Sequence, residues 1–390
     1  MNTAKRLEGI GEYYFSKKLR EISELNQQGK DIINLGIGSP DQPPHAEVIA
    51  VLQDESRKNN VHGYQSYKGV PALRTAIADW YKTWYDVEVN SEEEVLPLIG
   101  SKEGIMHICM TWLNEGDEAL VPDPGYPTYQ SAVKLAGGKV ISYNLNESNH
   151  YEPDFEALQA TDLGKVKLMF VNYPHMPSGK MPTRKLFQEI VDFGRRNDIL
   201  IIHDNPYSFL QPLNAKFANP VSLLSVEGAF EVVVELNSLS KSHNMAGWRI
   251  GMLCGNKQRI DEVLRFKSNM DSGMFLPLQM AAVKAMSLGE EWFVQLNRMY
   301  SERRVKAYDL LRSLGCSFNM DQGGLFAWGK VGEKFRDGYE LSDEVLYKSN
   351  VFLTPGGIFG EGGNSFVRIS LCATTDKLDD ALSRIKSLNL

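Results

Sequence analysis

Short apolar runs alternate with amphipathic stretches through the middle of this 390-residue chain. The runs have the composition of buried strands and occupy 96–99, 119–121, 168–171, 199–202 and 232–236. Helical patterns separate them at 102–114, 129–136 and 183–196. Strands that alternate with helices predict an α/β fold with a mostly parallel sheet covered on both faces. Because ligands of such sheets bind beyond the carboxyl ends of the strands, we expect chemistry in the polar residues that follow each strand.

The pattern changes beyond about residue 256, where helical stretches dominate. They lie at 258–270, 277–288 and 292–314, with strand candidates at 325–328, 351–353 and 366–371 and a last helix at 376–387. This order predicts a second, smaller α+β domain. We expect a large domain over 45–280 and a small domain formed by 1–44 together with 281–390.

Charge and cysteine usage exclude several classes of protein. The net charge is −7, from 42 Lys+Arg against 49 Asp+Glu, and no basic run occurs, so a nucleic-acid partner is not expected. The four cysteines lie far apart, which favours free thiols in a reducing compartment over a disulfide framework or a zinc site. No signal peptide is apparent, and no apolar run approaches the ~18 residues of a membrane span. We expect a cytoplasmic protein with no membrane partner, and the seven scattered histidines predict no metal site.

A Gly-Ser turn joins the strand at 96–99 to the helix that follows it. Gly100, Ser101 and Lys102 therefore stand at a helix N-terminus, where free N–H groups and the positive end of the helix dipole form a phosphate site. The alternative is that Ser101 only caps the helix. The turn alone favours this second interpretation.

Asp204 follows the apolar run at 199–202 after a single residue, His203, and precedes Asn205, Pro206 and Tyr207. A carboxylate at the end of a buried strand is costly unless a charge or hydrogen-bond donors meet it. A protonated pyridine nitrogen is one suitable partner, since it needs a nearby anion to stay protonated and act as an electron sink. The alternative is that Asp204 caps a turn.

Lys241 lies in a small polar loop after the run at 232–236, between Ser238 and Arg249. Low polarity and neighbouring positive charge lower the pKa of such a lysine, so its neutral amine can react with an aldehyde. The hydroxyl and the guanidinium beside it suit a phosphate. The loop also matches the Ser-x-x-Lys of penicillin-binding proteins and β-lactamases. That tetrad recurs at 131–134 and 383–386 and has no Lys-Thr-Gly partner here, so we reject that assignment.

Arg368 lies inside the apolar strand candidate at 366–371. A buried guanidinium needs an anion, and a substrate carboxylate would be a two-pronged match. An internal salt bridge is the alternative. No nucleotide fingerprint, Walker loop, HExxH or GxSxG motif competes with these candidates.

These motifs together resemble the fold-type I pyridoxal-phosphate (PLP) enzymes, specifically the class I/II aminotransferases. The resemblance rests on an ordered set that spans roughly residues 34 to 370: GIGSPD, GYQSYKG, PDPGYPTY, NYPHMPSG, DNPY, SLSKSHNMAGWRIG and the late RIS. The N-terminal stretch and VLPLIGSKEGIMHI are most similar to the LL-diaminopimelate aminotransferase branch. The resemblance implies the α/β fold of PLP-dependent transferases, with a mostly parallel central sheet flanked by helices and a smaller α+β domain.

The resemblance also implies roles for individual residues. Lys241 would bind the cofactor as a Schiff base and move a proton during catalysis, with Asp204 paired to the ring nitrogen and Tyr207 donating to the phenolic oxygen. The other cofactor-binding candidates are Ser101, Lys102, Tyr126, Asn172, Ser238 and Arg249. Arg368 and the backbone of Gly38 would bind the substrate carboxylate. Tyr64 would reach the cofactor phosphate of the neighbouring subunit, which implies a homodimer with shared active sites.

Met176 departs from the family pattern. The family has an asparagine before Pro-Thr-Gly that contacts the phenolic oxygen of the cofactor, whereas this chain has His175, Met176 and then Pro-Ser-Gly. A thioether cannot donate a hydrogen bond. Asn172 lies four residues earlier and does not occupy the same position.

The resemblance leads to an aminotransferase that moves an amino group between an L-amino acid and a 2-oxo acid by a ping-pong mechanism. The first alternative is a β C–S lyase of the same fold, which would use the same lysine and aspartate. The second, a non-catalytic PLP-binding regulator, would need a DNA-binding domain, and the motifs begin too near residue 34 to leave room for one. We expect segments 9–15 and 356–363 to govern which amino-acid side chain is accepted.

Overall fold

A computed structural model describes residues 2–12, 14–213 and 215–388 of the chain. Its α-helices are α1 Tyr14–Gln27, α2 Ala46–Ser56, α3 Pro71–Tyr85, α4 Ser101–Trp112, α5 Pro127–Leu135, α6 Phe155–Gln159, α7 Arg184–Asn197, α8 Ala229–Val232, α9 Leu239–Ser242, α10 Lys257–Lys267, α11 Leu276–Met286, α12 Glu290–Ser313, α13 Gly338–Ser349 and α14 Thr375–Lys386. Its strands are β1 Ile33–Asn34, β2 Val95–Leu98, β3 Glu118–Asp123, β4 Lys139–Asn144, β5 Val166–Val171, β6 Leu200–Asp204, β7 Val233–Ser238, β8 Gly251–Gly255, β9 Phe326–Lys330, β10 Val351–Phe352, β11 Thr354–Pro355 and β12 Phe366–Ser370.

Seven of these strands form one sheet in the order β2-β8-β7-β6-β5-β3-β4. Strand β8 is antiparallel to both of its neighbours, whereas the pairs from β7 to β4 are parallel. The carboxyl ends of β2, β3, β5, β6 and β7 therefore meet at one edge. The predicted mostly parallel sheet is confirmed, although β4 and β8 were not expected as strands.

Helix boundaries follow from local chemistry. Helix α7 begins after Thr183, whose hydroxyl accepts a hydrogen bond from Leu186 N at 3.1 Å, and it ends at Asp198, which has φ 52°. The first is a standard N-cap and the second a left-handed C-cap. Helix α4 begins at Ser101 after Gly100, whose φ of 85° turns the chain sharply out of β2. That turn places the N-terminus of α4 at the edge where the parallel strands end.

Apolar side chains cover both faces of this sheet. One buried cluster packs α3 and α7 against it, and another packs α4 and α5 against the opposite face. No helix of the described ranges combines the length and apolar character needed to cross a lipid bilayer.

A third buried cluster, the core of the second domain, surrounds the three-stranded sheet β11-β12-β9. The N-terminal segment joins it, because β1 pairs with β10 and Ser370 N donates to Leu35 O at 2.7 Å. Helix α12 connects the two cores: Phe293 belongs to the core of the large sheet, and Tyr300 to the second core. Residue 280, where we expected the domains to divide, lies inside α11, which packs on α2 and α3.

Candidate active site

A cavity of about 400 Å³ lies at the edge where the parallel strands end. It collects every candidate residue except Tyr64, although these residues come from seven separate segments of the chain. The candidates that line it are Gly38, Ser101, Lys102, Tyr126, Asn172, Asp204, Tyr207, Ser238, Lys241, Arg249 and Arg368.

Asp204 is the last residue of β6, and only one of its carboxylate oxygens has a hydrogen-bond partner. Its Oδ2 accepts a hydrogen bond from Tyr129 at 2.8 Å, whereas its buried Oδ1 has no partner among the described residues. Burial raises the pKa of Asp204 from 3.8 to about 6, since a buried carboxylate loses its hydration. An unpartnered acceptor of this kind fits a ring N–H donor.

Lys241 reaches the cavity from the short helix α9, which Ser238 caps. Its Nζ donates to the carbonyl of Gly38 at 2.5 Å. Burial lowers the pKa of Lys241, and the charges of Arg368 and Arg249 act in the same direction. A lowered pKa increases the fraction of neutral amine, which is the form that attacks an aldehyde.

The N-terminus of α4 and the guanidinium of Arg249 meet at Gly100. A Cβ added at Gly100 would overlap Nη2 of Arg249, so the guanidinium would have to move away. The φ of 85° at Gly100 also favours glycine. The guanidinium is oriented by a 2.8 Å bond from Nη1 to Ala246 O. The N–H groups at a helix N-terminus and a guanidinium in one cavity form a suitable phosphate cradle. The Ser238 hydroxyl lines the same cavity and donates to Ile250 O at 3.1 Å.

Arg368 projects from β12 into the cavity among aromatic rings. Its guanidinium carbon lies 3.7 Å from the ring centroid of Phe326 and 4.5 Å from that of Phe359. Nη2 donates to Gly36 O at 2.9 Å and Nη1 contacts Met176 Sδ at 3.3 Å. Stacking and bonding fix the guanidinium in one plane, as recognition of a carboxylate requires.

The segment around Met176 shows what replaced the family asparagine. Met176 lines the cavity, but His175 does not: its ring nitrogens face Ser178 Oγ at 2.7 Å and Pro124 O at 3.1 Å. Burial lowers the pKa of His175 to about 4, so it is neutral. Asn172 braces the segment by donating to Asp204 O at 2.6 Å and accepting from Met176 N at 2.8 Å.

Two kinds of site residue escaped the sequence analysis. Tyr129, the partner of Asp204, lies three residues after Tyr126 on α5, a spacing that could have signalled it because such residues share a helix face. Phe15, Phe326 and Phe359 line the cavity around Arg368, and local sequence offers no signal for Phe326. Phe15 and Phe359 belong to the two segments expected to govern selectivity.

Tyr64 lies outside the cavity, with 93% of its surface exposed. The described part of one chain thus gives it no contact with the site. Its predicted role across a dimer interface stays a prediction.

Three side chains that could bind a metal ion lie together outside the cavity, and the sequence did not suggest them. Ligand atoms of Glu103, His107 and Asp271 fall within 4.8 Å of one another. Lys267 already provides positive charge there, with Nζ 2.7 Å from Asp271 Oδ1. The arrangement is an ion-pair network behind the N-terminal turn of α4.

The cavity fits PLP group by group. Lys241 could react with its aldehyde, the unpartnered Oδ1 of Asp204 could accept from its ring nitrogen, and the N-terminus of α4 together with Arg249 would suit its phosphate.

Comparison with known proteins agrees with this fit. The family model described as aminotransferase class I and II matches residues 30–385. An LL-diaminopimelate aminotransferase of Halothermothrix orenii is 38% identical over 390 residues, covering 100% of this chain and 99% of that protein. One of Moorella thermoacetica is 37% identical over 386 residues, covering 99% and 98%. The apo structure of BacF from Bacillus subtilis is 36% identical with a TM-score of 0.95, covering 100% of this chain and 99% of that one.

The predicted fold class and cofactor are confirmed by these matches. On the strength of the family model and of relatives similar along their whole length, this chain belongs to the class I and II aminotransferases and is a PLP-dependent aminotransferase.

Proposed function

We propose that Lys241 is the lysine that binds the cofactor and moves the substrate proton, with Asp204 facing the ring nitrogen. The observation that carries this is the meeting, in one cavity, of a half-buried lysine of lowered pKa and a buried carboxylate with one unpartnered oxygen. When bound, PLP supplies an aldehyde that exchanges amino groups and a ring that takes up electron density from the substrate.

The remaining candidates bind and orient the cofactor. Ser101, Lys102, Ser238 and Arg249 hold the phosphate, Tyr126 packs on the ring, and Tyr207 and Asn172 lie at its polar edge. Burial raises the pKa of Tyr207, so its hydroxyl keeps its proton and can donate it.

Borohydride reduction of the holoenzyme tests the assignment of Lys241. Reduction followed by peptide mapping should place the pyridoxyl group on Lys241, and Lys241→Ala should lose the label. A label on another lysine would refute the assignment.

Arg368 is proposed to bind the substrate carboxylate. Arg368→Lys replaces a fixed fork by a flexible point charge, so we expect a higher KM and a kcat/KM lowered at least about tenfold, because the orientation of the Cα–H bond is also lost. A lysine variant that performs like the wild type on every accepted amino acid would place the carboxylate elsewhere.

The names of the relatives support LL-diaminopimelate as the first amino-acid substrate to test. A second candidate class, amino acids with apolar or aromatic side chains, is favoured by the rings of Phe15, Phe326 and Phe359 around the cavity. A half-reaction screen that follows the cofactor absorbance separates the two. The Halothermothrix and Moorella relatives are both aminotransferases by name, and nothing favours the C–S lyase.

We further propose a homodimer with shared active sites, located in the cytoplasm. The full exposure of Tyr64 supports the first part, because a family motif tyrosine on the surface is available to a neighbour. The second is supported by the cysteines, all four of which are free.

The division into a large and a small domain also stays a proposal. We place the boundary between the two domains on α12 and not at residue 280.

A further inference from the structure

His203 lies beside Asp204 on β6 and points to the other face of the sheet, because side chains alternate along a strand. It is fully buried. Its Nδ1 lies 2.7 Å from Glu235 Oε2 on β7, and its Nε2 lies 3.1 Å from the carbonyl oxygen of Tyr173. Both ring nitrogens thus face oxygen atoms that accept hydrogen bonds.

The hydrogen bonds fix the protons on this histidine. A carbonyl can only accept, so Nε2 carries a proton. The carboxylate of Glu235 also accepts from the hydroxyls of Tyr81 at 3.0 Å and Ser222 at 2.9 Å and from Leu223 N at 2.9 Å. Because three further donors stabilise the ionised carboxylate, the proton shared with His203 stays on Nδ1. His203 is therefore an imidazolium, and the pair it forms with Glu235 has no net charge.

This neutrality matters to Asp204 on the next position of the strand. Asp204 is buried with an open oxygen, and the positive charge of His203 favours its ionised form. If His203 were neutral, the unbalanced charge of Glu235 would add to that of Asp204, and nearby like charges oppose ionisation. The other titratable groups around Glu235 are Tyr81, Tyr85 and Cys254. Those around Asp204 are Tyr126, Tyr129, Tyr207 and Lys241.

We propose that His203 and Glu235 form a buried, hydrogen-bonded ion pair that keeps Asp204 charged and so able to pair with the cofactor ring. Both are positioning residues, since they act through Asp204 and lie on the face of the sheet away from the cavity. The functional half of the proposal rests on the role proposed above for Asp204.

Nuclear magnetic resonance of the holoenzyme labelled with 15N-histidine tests the charge itself. The His203 signals, assigned by their loss in His203→Gln, should show two protonated ring nitrogens from pH 6 to pH 9. In Glu235→Gln the amide replaces the carboxylate without a change of size, and we expect a neutral His203. A neutral ring in the wild type would overturn the proposal, whatever the identity of the cofactor lysine.

Cofactor selectivity tests the consequence. The probes are PLP and 1-deaza-PLP, in which a C–H replaces the ring nitrogen. His203→Gln leaves the charge of Glu235 uncompensated. The affinity for PLP divided by the affinity for 1-deaza-PLP should therefore fall about tenfold, the equivalent of one pKa unit at Asp204. His203→Gln combined with Glu235→Gln restores neutrality and should recover most of the ratio. The control Ser222→Ala removes a donor but no charge and should stay within about twofold of the wild type.

The outcomes separate the hypotheses. The proposal would be overturned if the double variant had as low a preference for PLP over the deaza analogue as His203→Gln has. It would also be overturned if Ser222→Ala lost as much of that preference, because either result would show a packing role. A wild type with no preference for PLP over the deaza analogue would instead contradict the role of Asp204, and the resonance result on His203 would still stand.

Discussion

At the scale of single residues, the site keeps groups that cost stability. Asp204 is buried with one oxygen unpartnered. That arrangement is unfavourable in the free protein and becomes favourable when a ligand provides the missing donor. The cofactor-free protein should reveal this cost directly.

Asp204→Asn should stabilise the cofactor-free protein at neutral pH. The folded-state pKa of Asp204 is raised from 3.8 to about 6, so ionisation disfavours the folded state. The free energy of unfolding should therefore fall as pH rises from about 4 to about 6 and remain lower above that, by up to about 3 kcal/mol at 1.36 kcal/mol per pKa unit. The asparagine variant avoids this loss and should weaken PLP binding.

Denaturant unfolding of the cofactor-free proteins at pH 4 and pH 8 measures the effect. The control Asp79→Asn, on the exposed side of α3, removes a charge without burial and should change little. An Asp204→Asn protein less stable than the wild type at pH 8 would contradict the argument.

Met176→Asn should shift the pH at which the cofactor absorbance of the holoenzyme titrates. An amide can donate to the phenolic oxygen of the cofactor, whereas the thioether cannot. The nitrogen that joins the lysine to the cofactor should therefore become less basic. One neutral hydrogen bond is worth about 0.5–1.5 kcal/mol, which limits the lowering of that pKa to about one unit. The control is Met176→Leu, which has no donor and should titrate like the wild type. Coincident curves for the asparagine and leucine variants would show that another group already donates.

At the scale of elements, the approach of α4 to Arg249 decides the shape of the phosphate cradle. The turn between β2 and α4 works because Gly100 combines a φ of 85° with the absence of a side chain. The same turn joins a strand to a helix N-terminus, so one local feature positions both the dipole and the guanidinium.

Gly100→Ala should weaken PLP binding by about 1–3 kcal/mol, because the methyl group displaces Arg249 and the positive φ is strained. The control is Gly116→Ala, since Gly116 has a similar φ of 91° with nothing within 4 Å of an added Cβ. Both variants carry the backbone strain, and only the first disturbs the cradle. Equal PLP affinities of Gly100→Ala and Gly116→Ala in equilibrium dialysis would show that the approach of α4 to Arg249 does not contribute to PLP binding.

At the scale of the whole molecule, residues of both cores line the cavity. Asp204 and Lys241 come from the edge of the large sheet, and Phe326 and Arg368 from the three-stranded sheet. A movement of one core relative to the other along α12 would therefore change the cavity. The proposed homodimer would add the neighbouring subunit, to which the exposed Tyr64 is available.

Tyr64→Phe should weaken PLP binding by about 1 kcal/mol, or up to about 3 if the phosphate charge strengthens the bond. Sedimentation should show a dimer for both the variant and the wild type. Mixing the inactive Lys241→Ala protein with Tyr64→Phe under exchange conditions should yield dimers in which one intact lysine site again receives a tyrosine. Its affinity for PLP should then match the wild type. A fully active monomer would refute the shared site.

Much of the architecture was readable from local patterns. Apolar runs and helical periods predicted most strands and helices of the large sheet to within a few residues. The polar residues after these strands, among them Asp204 and Lys241, were expected at one edge of the sheet. This works because strand and helix periodicity is a property of neighbouring residues, and parallel strands end at the same edge.

Other features depended on contacts between residues distant in the chain. Tyr129 holds Asp204 across 75 positions, Met176 contacts Arg368 across 192, and the charge of His203 depends on Glu235 32 positions away. The turn of His175 away from the cavity and the exposure of Tyr64 belong to the same class. Sequence alone determined which chemical groups this protein carries and at which strand ends they stand. Only the tertiary structure decided which of them are buried together, because desolvation and hydrogen-bond partners arise from packing between distant segments.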